Sequence, residues 1–216
     1  MKKFFTLCFS TYTFVALLAQ SNSISLQYVP TLATFNYRDA AGNADPNMRS
    51  AFKSGVGVNF AHITKAGLLI RPGIEFKNTG ATTTLYSDKM DWSLNYFDVN
   101  LGLGYIKSFR YIAPYIGATP YFSYLYKGNQ KFGTTNYDLI TLKAVKQSDW
   151  GLNFFGGMRF RISEVLSFFI EARYGLGLMQ LEPSDKQKLY NRNFAFPIGI
   201  SFNLLSPNKL TQRSNF

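Results

Sequence analysis

The stretch NFAFPIGISFNL at 193–204 most constrains what this chain can become. Phe194, Phe196, Ile198, Ile200, Phe202 and Leu204 alternate with Asn193, Ala195, Pro197, Gly199, Ser201 and Asn203. Successive side chains on a strand point to opposite faces, so one face is bulky and apolar and the other narrow and polar. Roughly 11 such residues, tilted by about 40°, rise close to the ~25 Å apolar band of an outer-membrane barrel. A lone strand cannot sit in lipid with its backbone groups unpaired. The pattern therefore has to repeat until the sheet closes.

The start of the chain reads as an export signal. Lys2 and Lys3 precede a mostly apolar run at 4–18, and cleavage is expected after Ala19. The run is short for a spanning helix. The single cysteine, Cys8, lies inside it, so the mature chain has no disulfide, thiolate metal site or cysteine nucleophile. Losing Lys2 and Lys3 lowers the net charge from +11 to +9. The remaining cations are scattered with no basic helix or cluster, which argues against nucleic acid as a partner.

Seven further alternating segments follow the signal. Ile24, Leu26, Tyr28 and Leu32 share one phase of the first, at 23–37, and Phe35 and Tyr37 fall in the other. That break predicts a bulge near Pro30. The others are expected at 50–62, 68–78, 92–105, 111–126, 149–162 and 168–181, with 193–204 as the eighth. Connections alternate long and short, as they do between outer loops and periplasmic turns. Trp92, Trp150 and Tyr126 at one set of strand ends, and Tyr105 and Tyr111 at the other, sit where interfacial aromatic girdles belong.

A soluble eight-stranded barrel would show the same alternation inside out. Its outer phase would be dense in Lys, Glu and Thr, whereas here the polar phase is mainly Gly, Asn and Ser. Small residues suit the crowded interior of an eight-stranded barrel. The expected fold is all-β, an eight-stranded antiparallel up-and-down transmembrane β-barrel. The signal peptide takes 1–19, the barrel 20–205 and a polar tail 206–216.

Some charges share the inward phase with these small residues: Lys53, Arg71, Glu75, Lys77, Asp98, Arg159, Arg161, Glu171 and Arg173. Buried charges must be paired, so the last eight are expected to form an interior charged network. The planar fork of arginine favours it there. The alternative is a water-filled pore with a mild anion preference. Conductance that rises on Arg159→Ala would mark a plug sealed by that residue.

The segment YFDVNL at 96–101 resembles a mid-barrel strand of the PorT-like (porin family) outer-membrane β-barrel proteins of Gram-negative bacteria. In that family the pattern is Tyr-apolar-acid-apolar-Pro-Leu, and Asn100 stands where Pro is usual. APYIGA at 113–118, GGMRF at 156–160 and EARYGL at 171–176 look like its later strands. The resemblance covers about 20–205 and is specific for fold, not function. It implies an outer-membrane barrel, and some family members assist a machinery that secretes proteins. It brings no catalytic residue.

Enzymatic chemistry has little to stand on. His62, the only histidine, falls on the outward phase near a short turn, as an interfacial residue. Asp88 and Asp91, placed in an outer loop, lack a fuller set of oxygen ligands for Ca²⁺. Gly102-Leu103-Gly104 and Gly175-Leu176-Gly177 lie within strands and are not phosphate loops. No enzyme activity, metal or cofactor is expected. The expected partners are outer-membrane lipid, lipopolysaccharide (which Lys186 and Lys188 in the last loop could touch) and secretion-complex proteins. The function read from the sequence is a structural or interaction component of the outer membrane, with a small-solute channel as the alternative.

Overall fold

The computed structural model describes residues 19–85, 88–183 and 187–204. The expected signal, the tail, and Asp185 and Lys186 lie outside them, apart from Ala19 where the first strand begins.

Among the described residues, eleven strands form one antiparallel sheet. They are β1 (Ala19–Arg38), β2 (Arg49–Thr64), β3 (Leu68–Thr79), β4 (Ala81–Leu85), β5 (Asp88–Ile106), β6 (Ile112–Phe132), β7 (Thr135–Asp138), β8 (Ser148–Arg161), β9 (Leu166–Gly177), β10 (Lys188–Ala195) and β11 (Ile198–Leu204). The wall has eight members, because β10 and β11 are one interrupted strand and β4 and β7 are short outer additions. Going round, the order is β1, β2, β3, β5, β6, β8, β9 and β10/β11, which pairs back onto β1. Among the described residues, closure leaves no unpaired edge of the wall facing lipid.

The last wall strand shows how the sequence sets the ladder. Pro197 has no N–H to donate, and pairing stops at Phe196–Pro197 between β10 and β11. β1 meets β11 through Tyr28 and β10 from Thr31 onward. Pro30, which also lacks an N–H, lies in the gap, where its carbonyl accepts from the Phe196 N–H at 2.8 Å. No bulge occurs there. The β1–β2 register runs unbroken from Ser21 to Ala33. Phe35 breaks the apolar phase because it faces inward and is buried.

The outward phase is apolar on every wall strand. Leu26, Val56, Ile74, Val99, Phe122, Phe154, Ile170 and Ile200 are all exposed. A water-soluble protein does not expose a continuous belt of this kind. Trp150, Tyr126, Tyr105 and Tyr111 are exposed at its two margins. Trp92 is not in the girdle. Its ring packs edge-on against Phe35 at 6.0 Å, over the outer end of the lumen.

Strand lengths differ most from expectation beyond the outer margin. The segment read as a loop up to Asp91 is a hairpin of β4 and β5, and β6 continues to Phe132 and folds back as β7. A loop-like composition does not prevent pairing once the neighbouring strand supplies a template. At the opposite end the connections stay short. Gly67 closes the β2–β3 turn with φ +88°, where a Cβ would lie 2.6 Å from the Ile106 carbonyl oxygen. Gly67→Ala is expected to destabilise the folded barrel by about 1–3 kcal/mol. Urea titration followed by the gel mobility of unboiled samples would measure this.

Candidate functional site

The candidate site is the lumen, built in three layers. Alternation sends every second side chain of all eight wall strands into a space too narrow for a channel unless those side chains are small.

The middle layer is ionic. Arg71 Nη1 donates to Glu171 Oε2 at 2.7 Å. Arg173 donates to Glu171 Oε1 from Nε at 3.2 Å and from Nη2 at 3.1 Å. Its Nη1 donates to Glu75 Oε2 at 3.0 Å, and Gln27 Nε2 donates to that same oxygen at 3.0 Å. Arg71 and Glu75 are on β3, Glu171 and Arg173 on β9. These strands are four places apart in an eight-membered ring, so the pairs cross the axis of the barrel. The two cations and two carboxylates balance, and all four residues are buried.

A second group leans on the first. Lys77 Nζ donates to Asp98 Oδ2 at 2.6 Å and sits 4.0 Å from the Tyr121 ring centroid. Ser123 Oγ and Asn100 Nδ2 also donate to Asp98, at 2.9 and 3.0 Å. Glu75 and Asp98 are direct cross-strand neighbours. Like charges in that position repel, and Arg173 and Lys77 offset the repulsion.

Beneath the ions, toward the short turns, Ala61, Ile63, Leu69, Ile106, Ala113, Tyr115 and Phe155 form an apolar cluster. Arg71 joins the two layers, its Cζ 4.4 Å from the Phe155 ring centroid. Gly117 leaves room for that ring, since a Cβ there would run into Phe155 and the Leu103 carbonyl. Toward the outer end, Phe35, Leu94, Tyr96 and Leu125 meet Leu139, Val145 and Leu181 from the connections between wall strands. Backbone bonds fasten this cover: Leu125 N–H to Gln147 O at 2.6 Å and Lys146 N–H to Leu181 O at 2.8 Å. Asp138 anchors the connection that carries Leu139. Hydrogen bonds from the Thr141 hydroxyl and the Ile140 and Thr141 amides hold its carboxyl below the usual carboxylate range. Between the layers, a cavity of about 20 Å³ is lined by Thr31, Glu75, Lys77, Asp98 and Arg173 among others. That is room for about one water molecule.

Six of the eight residues expected in the network are thus brought together: Arg71, Glu75, Lys77, Asp98, Glu171 and Arg173. Arg159 and Arg161 are not. Arg159 is half-buried and its Nε has no hydrogen-bond partner. Arg161 is exposed at the rim, because its inward position falls on the last residue of β8, below the packed lumen. Three other assignments change. His62 keeps the outward phase beside the short turn but is buried, its Nδ1 2.8 Å from Asn22 Oδ1 on the neighbouring strand. Asp88 and Asp91 are on β5, and Asp91 Oδ1 pairs with Lys53 Nζ at 3.1 Å. Lys188 opens β10 and is exposed.

Residues 18–182 match the outer membrane protein beta-barrel domain. The chain belongs to that family. This makes it an outer-membrane β-barrel protein and places it in the outer membrane. Two solved structures share the family's barrel fold. Neisserial surface protein A is 12% identical, with a TM-score of 0.52 over 83% of this chain and 96% of that one. The outer membrane protein OprG from Pseudomonas aeruginosa is 12% identical, with a TM-score of 0.58 over 87% and 98%. None of the curated proteins matches the chain.

Proposed function

We propose that the protein is a sealed structural or interaction component of the outer membrane and does not conduct solutes. What carries this reading is the Arg71–Glu171–Arg173–Glu75 chain of ion pairs across the barrel axis, with an apolar cluster on either side. An open channel needs a continuous water path, and both apolar layers interrupt one. The seal does not depend on Arg159, which stands outside the network. The barrel then works through its surfaces. The resemblance to PorT-like barrels points to a role as an accessory of a protein-secretion complex, and Lys188 near the outer margin suits a lipopolysaccharide phosphate.

Planar bilayers containing the folded protein are expected to show no open-channel steps, for the wild type and for Arg159→Ala alike. Steady wild-type conductance would overturn the sealed reading. Purification of the tagged protein from outer membranes in mild detergent tests the accessory role. A large, reproducible complex is expected, and a lone monomer would remove that role.

A further inference from the structure

The short-turn end carries a charge pattern that the lumen does not explain. Among the described residues, turn residues and strand ends at this rim hold four exposed cations, Lys65, Lys107, Arg110 and Arg161. Glu164 is the one acid in the three turns. The outer end also carries exposed cations, among them Lys127, Lys131 and Lys143, but there they are interspersed with Asp39, Asp45, Asp88, Asp91 and Asp138. The three turns join β2 to β3, β5 to β6 and β8 to β9, so they fill three of the four intervals around the barrel. The fourth interval holds the two ends of the wall, Ala19 and Leu204. The cations therefore form most of a ring and not a patch.

The ring lies level with a belt of exposed apolar groups. Lys107 Nζ is 5.5 Å from the Phe109 ring centroid, and Arg110 Cζ is 5.1 Å from that of Tyr111. Phe109, Tyr111, Ile162 and Val165 are exposed beside them. A cation over an interfacial aromatic sits at headgroup depth, with the ring toward the acyl chains and the charge toward water. A docking protein would meet one sector of such a ring, whereas a lipid leaflet meets all of it.

We propose that this rim binds the phosphates of anionic phospholipids in the periplasmic leaflet, and so fixes the depth of the barrel from below. The proposal rests on the barrel and its orientation and is independent of whether the lumen is sealed. The class of ligand is a phosphodiester headgroup carrying net negative charge. Lipopolysaccharide phosphates share that chemistry but belong to the opposite leaflet, at the outer-loop end.

The test is native mass spectrometry of the full chain, folded in detergent and offered equal amounts of phosphatidylglycerol and phosphatidylcholine. About tenfold preference for phosphatidylglycerol is expected, since each cation near an anionic surface contributes severalfold. The preference should fall toward parity in about 0.5 M salt. The variant K65Q/K107Q/R110Q/R161Q should also approach parity. Its heat-dependent gel shift should match the wild type, because all four side chains are exposed and outside the lumen. The variant K89Q/K127Q/K131Q/K143Q, with the same charge change at the outer end, should keep the preference. Parity in the wild type, undiminished preference in the first variant, or equal loss in the second would each overturn the proposal. If the wild type treats both lipids alike but binds polyglutamate, and the first variant does not, the rim docks an acidic protein and the lipid assignment falls.

Discussion

Glu171→Ala is expected to lower the stability of the folded barrel by about 3–5 kcal/mol, the cost of breaking a buried pair by removing one partner. Glu171 is the hub of the lumen, since Arg71 takes one of its oxygens and Arg173 the other. Removing it leaves Arg71 with no carboxylate and Arg173 with Glu75 alone, both guanidiniums still buried. Neither guanidinium can shed its charge, because arginine stays protonated. Asp98→Ala is expected to cost less, since Lys77 is a single cation, has a longer and more flexible stem, and keeps its contact with Tyr121. Urea or guanidinium titration in detergent, read by the mobility of unboiled samples, would rank the two. Equal midpoints for Glu171→Ala and the wild type would mean that water already screens these ions.

The eight-stranded wall was legible because lipid imposes a strict rule. Every outward position must be apolar, and period two cannot be shifted without turning a whole strand inside out. The strands at 50–62, 68–78 and 149–162 are correspondingly close to β2, β3 and β8, while the last begins at Lys188, inside the segment read as a loop. A bulge at Pro30 would be needed only if Phe35 faced lipid, and Phe35 is part of the outer cover. The central ions could also be read, because a charge in a phase of glycine and asparagine must find a partner. The partners themselves could not, since contacts across the lumen join residues about a hundred apart and depend on which strands face each other.

The lower apolar cluster left a readable trace. Leu68-Leu69, Tyr105-Ile106 and Phe154-Phe155 are adjacent apolar pairs, and alternation forces one member of each inward. Leu69, Ile106 and Phe155 are those members. The outer cover left none. Leu139, Val145 and Leu181 come from connections with no period to read, and only the three-dimensional closure over Leu125 and Tyr96 gives them a role.

Phe155→Ala is the second large effect, expected to cost about 3–5 kcal/mol through lost burial and the cavity left behind. Phe155 is almost wholly buried, faces Tyr115 at 6.0 Å and supports the Arg71 guanidinium from below. Conductance is expected to remain absent, because the ion pairs across the axis and the outer cover are untouched. The informative measurement is the double variant with Glu171→Ala. In the wild type Phe155 keeps water from a paired Arg71. Once Glu171 is gone, the space opened by Phe155→Ala lets water reach an unpaired Arg71 and returns part of its solvation. The two costs should therefore fall short of their sum by about 0.5–3 kcal/mol, the range found for residues that share a partner. Additivity would show that the ionic and apolar layers are independent. A shortfall would show that Arg71 binds them into one seal, so that loss of either layer loosens the other.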